Sequence, residues 1–204
     1  MTPHVAVLIS GRGSNMQSLL AAFPGRIAVV LSNNPDAIGL TLTDGIPAIC
    51  VDHRPFRRDR AAHEAAIAET LDRHHVDTIC LAGYMRILTP LLVNRYAERM
   101  LNIHPSLLPA FPGLNTHARA LAAGVKLHGC TVHRVTETMD EGPILAQAAI
   151  PVLPGDTADT LAARVLAEEH LLYPLALRLF LDGKPGRAAT GHLRNPLPPD
   201  CPGA

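Results

Sequence analysis

The chain has 204 residues, 48% of them hydrophobic and 18% charged, with 18 basic and 18 acidic side chains in formal balance. That is a globular composition with enough chain for one sizeable core, and it rules out a disordered polar chain. Zero net charge and 3% aromatics argue against a nucleic-acid or membrane-surface binder, but allow a local cationic pocket for one small anion.

Val5–Ile9 opens the chain as a short, continuous, β-branched run, the signature of a strand buried on both faces. Ser10-Gly11-Arg12-Gly13-Ser14-Asn15 follows, then a helix through Leu19-Leu20. Ile27–Leu31 predicts a second buried strand, stopped by Ser32-Asn33-Asn34-Pro35, and Ile46–Val51 a third after the turn signal Asp44-Gly45. Arg60 to His74 predicts a helix, with Ile67 and Leu71 on one face. Thr78–Ala82 and Met100–Ile103 predict strands, and between them Thr89-Pro90 is an N-cap followed by a first-turn proline. Leu127–Val135 and Ile144–Val152 are strand-like runs that can pair antiparallel. Asp156 or Thr157 opens a last long helix ending near Asp182-Gly183, with a kink expected at Pro174.

Strands alternating with helices predict right-handed βαβ units. The expected fold is α/β and Rossmann-like: a mostly parallel twisted sheet flanked by helices, with an antiparallel extension in the C-terminal half. One domain is expected over 1–204. It comprises a βαβ half over about 1–100, a second half over about 101–185, and a loose tail over 186–204. No apolar run approaches the roughly 20 residues of a bilayer span. Val5–Ile9 lacks the flanks of a signal peptide. Cys50, Cys80, Cys130 and Cys201 lie far apart with no C-x-x-C, which predicts reduced, mostly buried thiols in a cytoplasmic protein.

Three stretches can carry chemistry. In Ser10–Asn15, glycines let backbone N–H groups approach an anion, and the helix N-terminus adds partial positive charge. Met16 stands where a dinucleotide fingerprint has its third glycine, and no Gly-Lys-Ser/Thr follows, so a phosphate is the natural guest. The alternative is an ordinary Gly-rich turn. In Asn102-Ile103-His104-Pro105, the amide and the imidazole share one face of a strand end. That suits oxyanion stabilisation and proton movement near neutral pH; a lone His more often only caps such an end. In Thr136–Pro143, Asp140 is a turn former by default. Reaching a His on another strand, it would instead raise the imidazole pKa and fix its tautomer.

Weaker signals remain. His128 and Cys130 lie on one strand face and His133 on the other, so no metal set is read from them. Glu168-Glu169-His170 reads as a solvated edge unless the helix borders a cleft. Arg54, Arg57, Arg58 and Arg60 read as a solvated face in which one arginine can hold a carboxylate.

Ordered segments across nearly the whole chain carry a family resemblance: LISGRGSN (8–15), LAGYMRIL (81–88), LNIHPSLLP (101–109), FPGLNTHARAL (111–121), HGCTVH (128–133), MDEGPIL (139–145) and EEHLLYP (168–174). The sequence resembles the phosphoribosylglycinamide formyltransferases, folate-dependent enzymes of purine synthesis. The resemblance implies formyl transfer from 10-formyltetrahydrofolate, as co-substrate, to the amino group of 5′-phosphoribosylglycinamide, without a metal. It implies Asn102, His104 and Asp140 as the catalytic trio. Gly13, Ser14 and Asn15 would bind the substrate phosphate, and Glu169 the glycinamide portion. Met85, Arg86, Ile87 and Leu88 would form the folate-binding strand end, with Arg86 toward the glutamate. Thr136, Glu137, Thr138, Met139 and Asp140 would fold over the pterin. Arg60 best matches the family's folate-glutamate arginine, with Arg57 and Arg58 as alternatives.

The implied partners are small molecules, with no nucleic acid and no membrane, in a monomer or homodimer. Two relatives share the chemistry. Methionyl-tRNA formyltransferase carries an extra C-terminal domain and a basic surface, for which this chain has neither length nor charge. Formyltetrahydrofolate deformylase carries an extra N-terminal domain, for which a strand starting at Val5 leaves no room.

Overall fold

Short apolar runs separated by turn residues give eight strands and five helices in the computed structural model, which describes residues 4–183 and 192–194. In chain order they are β1 (Val5–Ile9), α1 (Ser14–Ala22), β2 (Ile27–Ser32), β3 (Ala48–Cys50), α2 (Arg60–Arg73), β4 (Thr78–Leu81), α3 (Pro90–Arg95), β5 (Met100–His104), α4 (Thr116–Ala122), β6 (Leu127–Arg134), β7 (Ile144–Pro151), α5 (Ala158–Leu181) and β8 (His192–Arg194).

Alternation along β1 divides the core in two. Val5, Val7 and Ile9 join Met16 and Leu19 of α1 and Leu161, Val165 and Leu172 of α5 on one face of the sheet. Ala6 and Leu8 join Ile67 and Leu71 of α2 and Leu92 of α3 on the other. The result is helix, sheet and helix in three layers. Tyr173 fixes how α5 sits on the sheet. Its buried hydroxyl lies 3.1 Å from the Leu81 carbonyl and 3.2 Å from that of Leu101, at the ends of β4 and in β5.

The strand order is β3-β2-β1-β4-β5-β6-β7-β8. β1 to β5 are parallel. β6 runs antiparallel to β5 and β7, and β8 parallel to β7. The chain leaves β1 toward β2 and β3, then returns to β4 and proceeds the other way. That reversal opens a crevice at the carboxyl ends of β1 and β4, where ligands of open α/β sheets bind.

Local sequence sets the helix starts. Thr157 and Thr160 form a reciprocal capping box at α5, and Thr89 caps α3 ahead of Pro90, as expected. No helix is long and apolar enough to cross a membrane among the described residues.

Two expectations need correction, and one helix was not expected: α4 has no strong apolar period. α5 is a single helix with Pro174 inside it. β3 is a short edge strand, so Cys50 is exposed, whereas Cys80 and Cys130 are buried under the helices; Cys201 lies outside the described residues. The expected loose tail contributes β8, whose backbone pairs with β7 over Ala146–Ala148. An unpaired sheet edge is a template for such an addition. The rest of the tail lies outside the described residues.

Candidate active site

β1 ends at Ile9, and the chain turns through Ser10-Gly11-Arg12-Gly13 into α1. Gly13 sits at the helix N-cap with φ 77°. The left-handed backbone disfavours any side chain there, and a Cβ would come within 3.0 Å of Gly39 Cα. Gly39 lies in a 3₁₀ turn, Ile38–Thr41, and its N–H donates to the Gly11 carbonyl at 3.0 Å. No side chain caps α1. The first-turn N–H groups therefore lack intrahelical partners at the positive end of the helix dipole, and Ser14 and Asn15 add side-chain donors. The arrangement suits a phosphate.

Asn15 is also tied to the opposite helix. Its Nδ2 donates to Glu169 Oε2 at 2.6 Å, and both side chains are buried. Burial pushes the Glu169 carboxyl up to about 7, against the lowering effect of the Asn15 bond. The solvated edge expected at Glu168-Glu169-His170 is thus corrected for both acids, which are buried because α1 packs against α5.

The second cluster forms at the end of β5. Asn102 and His104 share a face, and antiparallel β6 sets His133 opposite Asn102 and Thr131 opposite His104. Asp140 arrives from the β6–β7 loop with φ 59°. Its Oδ1 lies 3.6 Å from His104 Nδ1 and 3.8 Å from His133 Nε2. Its Oδ2 accepts the Gly113 N–H at 2.8 Å. The His104 and Asp140 side chains are each only 8% exposed, so water screens their interaction weakly.

Hydrogen bonds assign the protons. His104 Nε2 lies 3.2 Å from the Phe111 carbonyl, which can only accept. Nε2 therefore carries a hydrogen, and Nδ1 is the nitrogen that faces Asp140. His133 Nδ1 lies 3.0 Å from the Arg134 carbonyl by the same logic. Its Nε2 is then an acceptor for Asn102 Nδ2, 3.1 Å away. Burial lowers the His133 pKa, so the ring stays neutral at pH 7 and holds the Asn102 amide in one orientation. One Asn102 N–H is used this way, and among the described residues the other is in no hydrogen bond.

The loop after His104 is equally fixed. Thr131 Oγ1 donates to the Ser106 carbonyl and accepts the Leu108 N–H, while Gln147 Nε2 donates to the Leu108 carbonyl.

A family model described as formyl transferase matches residues 3–177. The chain belongs to the formyl transferase family. It is 43% identical over 188 residues to the phosphoribosylglycinamide formyltransferase of Escherichia coli, covering 89% of this chain and 88% of that one. It is 46% identical over 187 residues to the bovine trifunctional purine biosynthetic protein adenosine-3, spanning 88% of this chain but only 18% of that protein. Among solved structures, phosphoribosylglycinamide formyltransferase from Brucella melitensis superposes with TM-score 0.83 at 55% identity, covering 89% of this chain and 96% of that one. Glycinamide ribonucleotide transformylase 1 from Symbiobacterium toebii superposes with TM-score 0.86 at 50% identity, covering 89% of each.

In this formyltransferase the remaining expected residues lie on two loops and one helix start. After β4, Met85 and Ile87 are 65% and 56% exposed, whereas Arg86 and Leu88 are half-buried. Thr136, Glu137, Thr138 and Met139 are exposed. Glu137 accepts from Asn94 Nδ2 at 2.9 Å, and Thr136 Oγ1 donates to the Thr138 carbonyl at 3.1 Å; no hydrogen bond joins these four to Asn102 or His104 among the described residues. Arg60 is exposed at the first position of α2; its backbone N–H donates to the Arg58 carbonyl at 3.0 Å, and among the described residues its guanidinium is in no hydrogen bond or ion pair. It is free to meet an anion.

Spacing alone gives His133 and Gly39 no role in this site. The signal for His133 is its register opposite Asn102, which exists only once β5 and β6 are paired.

Proposed function

We propose that this formyltransferase moves the formyl group of 10-formyltetrahydrofolate to the amino group of 5′-phosphoribosylglycinamide, a step of purine synthesis. One observation carries the reading. His104 Nδ1 and Asp140 Oδ1 are 3.6 Å apart beside Asn102, at the same carboxyl-terminal edge of the parallel strands as the Gly-rich loop after β1. The names of the relatives support the choice of substrates.

In this reading Gly13, Ser14 and Asn15 hold the substrate phosphate, and Glu169 takes the glycinamide portion. Met85, Arg86, Ile87 and Leu88 hold the folate, with Arg86 and Arg60 toward its glutamate and the 136–139 loop over its pterin. The amine forms a bond to the formyl carbon, and the carbonyl oxygen becomes an oxyanion. Asn102 donates its remaining N–H to that oxyanion, and protonated His104 donates from Nδ1. One such donor supplies a rate factor of roughly 10²–10³. The bond from carbon to the folate nitrogen then breaks; the amine loses a proton and the folate nitrogen gains one. His104 carries it, with Asp140 stabilising the imidazolium directly or through a water. Holding both substrates in one crevice supplies further acceleration, so neither a metal nor a covalent enzyme intermediate is required. Within one domain, residues 1–100 then supply the phosphate loop and the Met85–Leu88 folate segment, and residues 101–185 supply the catalytic trio, the 136–139 loop and Glu169. The enzyme works on small molecules in the cytoplasm, as a monomer or homodimer.

The test is to incubate the protein with both substrates and follow loss of the formyl group. Transfer that requires phosphoribosylglycinamide supports the reading. Formyl loss to water alone points to a deformylase, and no loss in either mixture refutes both.

A further inference from the structure

Residues 84–89 have no helix or strand of their own, yet side chains from elsewhere grip both ends of the segment. At its start, Ser10 Oγ accepts the Met85 N–H at 2.8 Å and donates to Asn33 Oδ1 at 2.5 Å. A hydroxyl has one proton, so its direction is settled: the hydrogen goes to Asn33 and a lone pair to Met85. Asn34 Nδ2 donates to the Ser10 carbonyl at 3.3 Å, which anchors Ser10 itself to the end of β2.

At the other end, Glu64 of α2 is 2% exposed. Its carboxylate accepts the Thr89 N–H at 2.7 Å, the Thr89 hydroxyl at 2.6 Å and the Leu92 N–H at 3.3 Å. A buried carboxylate with three donors is rigidly placed, and losing it would strand those donors out of water. Glu64 thus fixes where α3 starts and where the preceding segment must end.

We infer that Ser10 and Glu64 are positioning residues that aim the Met85–Leu88 segment at the folate. Ser10 has a second role, because it begins the phosphate loop and therefore ties the two substrate sites together. This inference rests on the folate reading proposed above. Neither residue touches a reacting atom. Both act through the backbone of the segment, which is otherwise held by the packing of Tyr84 and Leu88 against the core.

The experiment combines two-substrate kinetics with binding of a folate analogue that carries no transferable formyl group. The expected result for Ser10→Ala is a rise of roughly fivefold in KM for both substrates, the size of one lost neutral hydrogen bond. Ser10→Thr, which keeps the hydroxyl, restores both. Glu64→Gln places an amide against the donors and should raise the folate KM by about tenfold or more, leaving the KM for the phosphorylated amine nearly unchanged. Thr89→Val is the milder variant should Glu64→Gln fold poorly, with roughly fivefold expected on the folate KM alone.

Wild-type protein that fails to bind the analogue overturns the folate reading itself. Wild-type binding with unchanged folate KM in Ser10→Ala and Thr89→Val overturns the anchors and leaves the folate reading standing. A fall in Tm and kcat with both KM values unmoved marks a merely structural role and also overturns the inference.

Discussion

Replacing Glu169 with Gln should stabilise this protein at pH 8 while impairing it as an enzyme. Glu169 lies between α1 and α5, where burial raises its carboxyl from 4.5 to about 7. The folded state holds a proton that the unfolded chain has already released. The stability linked to this group is therefore complete below pH 4.5 and is lost as pH rises through about 7. At about 1.4 kcal/mol per pH unit, the loss approaches about 3 kcal/mol at pH 8. A Gln at this position still offers an oxygen to Asn15 Nδ2, which now donates to the carboxylate at 2.6 Å, and it carries no charge to desolvate.

The variant should thus match wild type near pH 4.5 and exceed it by up to about 3 kcal/mol at pH 8, roughly 6–12 °C in Tm for a chain of this size. Urea unfolding at the two pH values, followed by circular dichroism, measures the difference directly. A stability difference that is the same at both pH values would refute the argument, because removal of a contact without a titrating charge carries no pH dependence. Stability would here be given up for a carboxylate held ready for a cationic substrate group, a common trade at active sites.

The remaining outcomes follow from the same geometry. His104→Ala and Asp140→Ala should each lower kcat by roughly 10²–10⁴ with an unchanged circular dichroism spectrum; near-normal turnover in both would remove them from the mechanism. His133→Phe frees the Asn102 amide and should cost about tenfold in kcat, less than the roughly 10²–10³ expected of Asn102→Ala, in side-by-side kinetics. Gly13→Ala forces a side chain into a left-handed cap 3.0 Å from Gly39 Cα; it should destabilise by about 1–3 kcal/mol and weaken phosphate binding, read by calorimetry. Burial and the neighbouring His117, 3.1 Å away, push His128 down to about 4. Its linked stability is present above pH 6.5 and lost as pH falls through about 4, and His128→Gln should flatten that acid loss in a pH series of unfolding curves.

Much of this was legible from residue order. β1, α1 and the antiparallel β6–β7 pair come from local periodicity, because a five-residue apolar run such as Val5–Ile9 can be satisfied only inside a sheet covered on both sides. Thr89-Pro90 and Thr157 mark helix starts for equally local reasons. The segment Thr116–Ala122 was not legible, since its helix relies on packing against α5 more than on its own pattern. The acids at 168 and 169 misled for a related reason: a charged side chain is assigned to solvent unless its partner is known, and Asn15 is far away in the chain.

The sequence by itself determined the elements, their alternation and the residue types available for chemistry, because propensity, capping and hydrophobic period act over a few neighbours. Only the tertiary structure decided that Asp140 meets His104, that neutral His133 orients Asn102, and that Ser10 and Glu64 grip the segment between them. Those contacts are set by strand register and helix packing, and both exist only when distant parts of the chain are brought together.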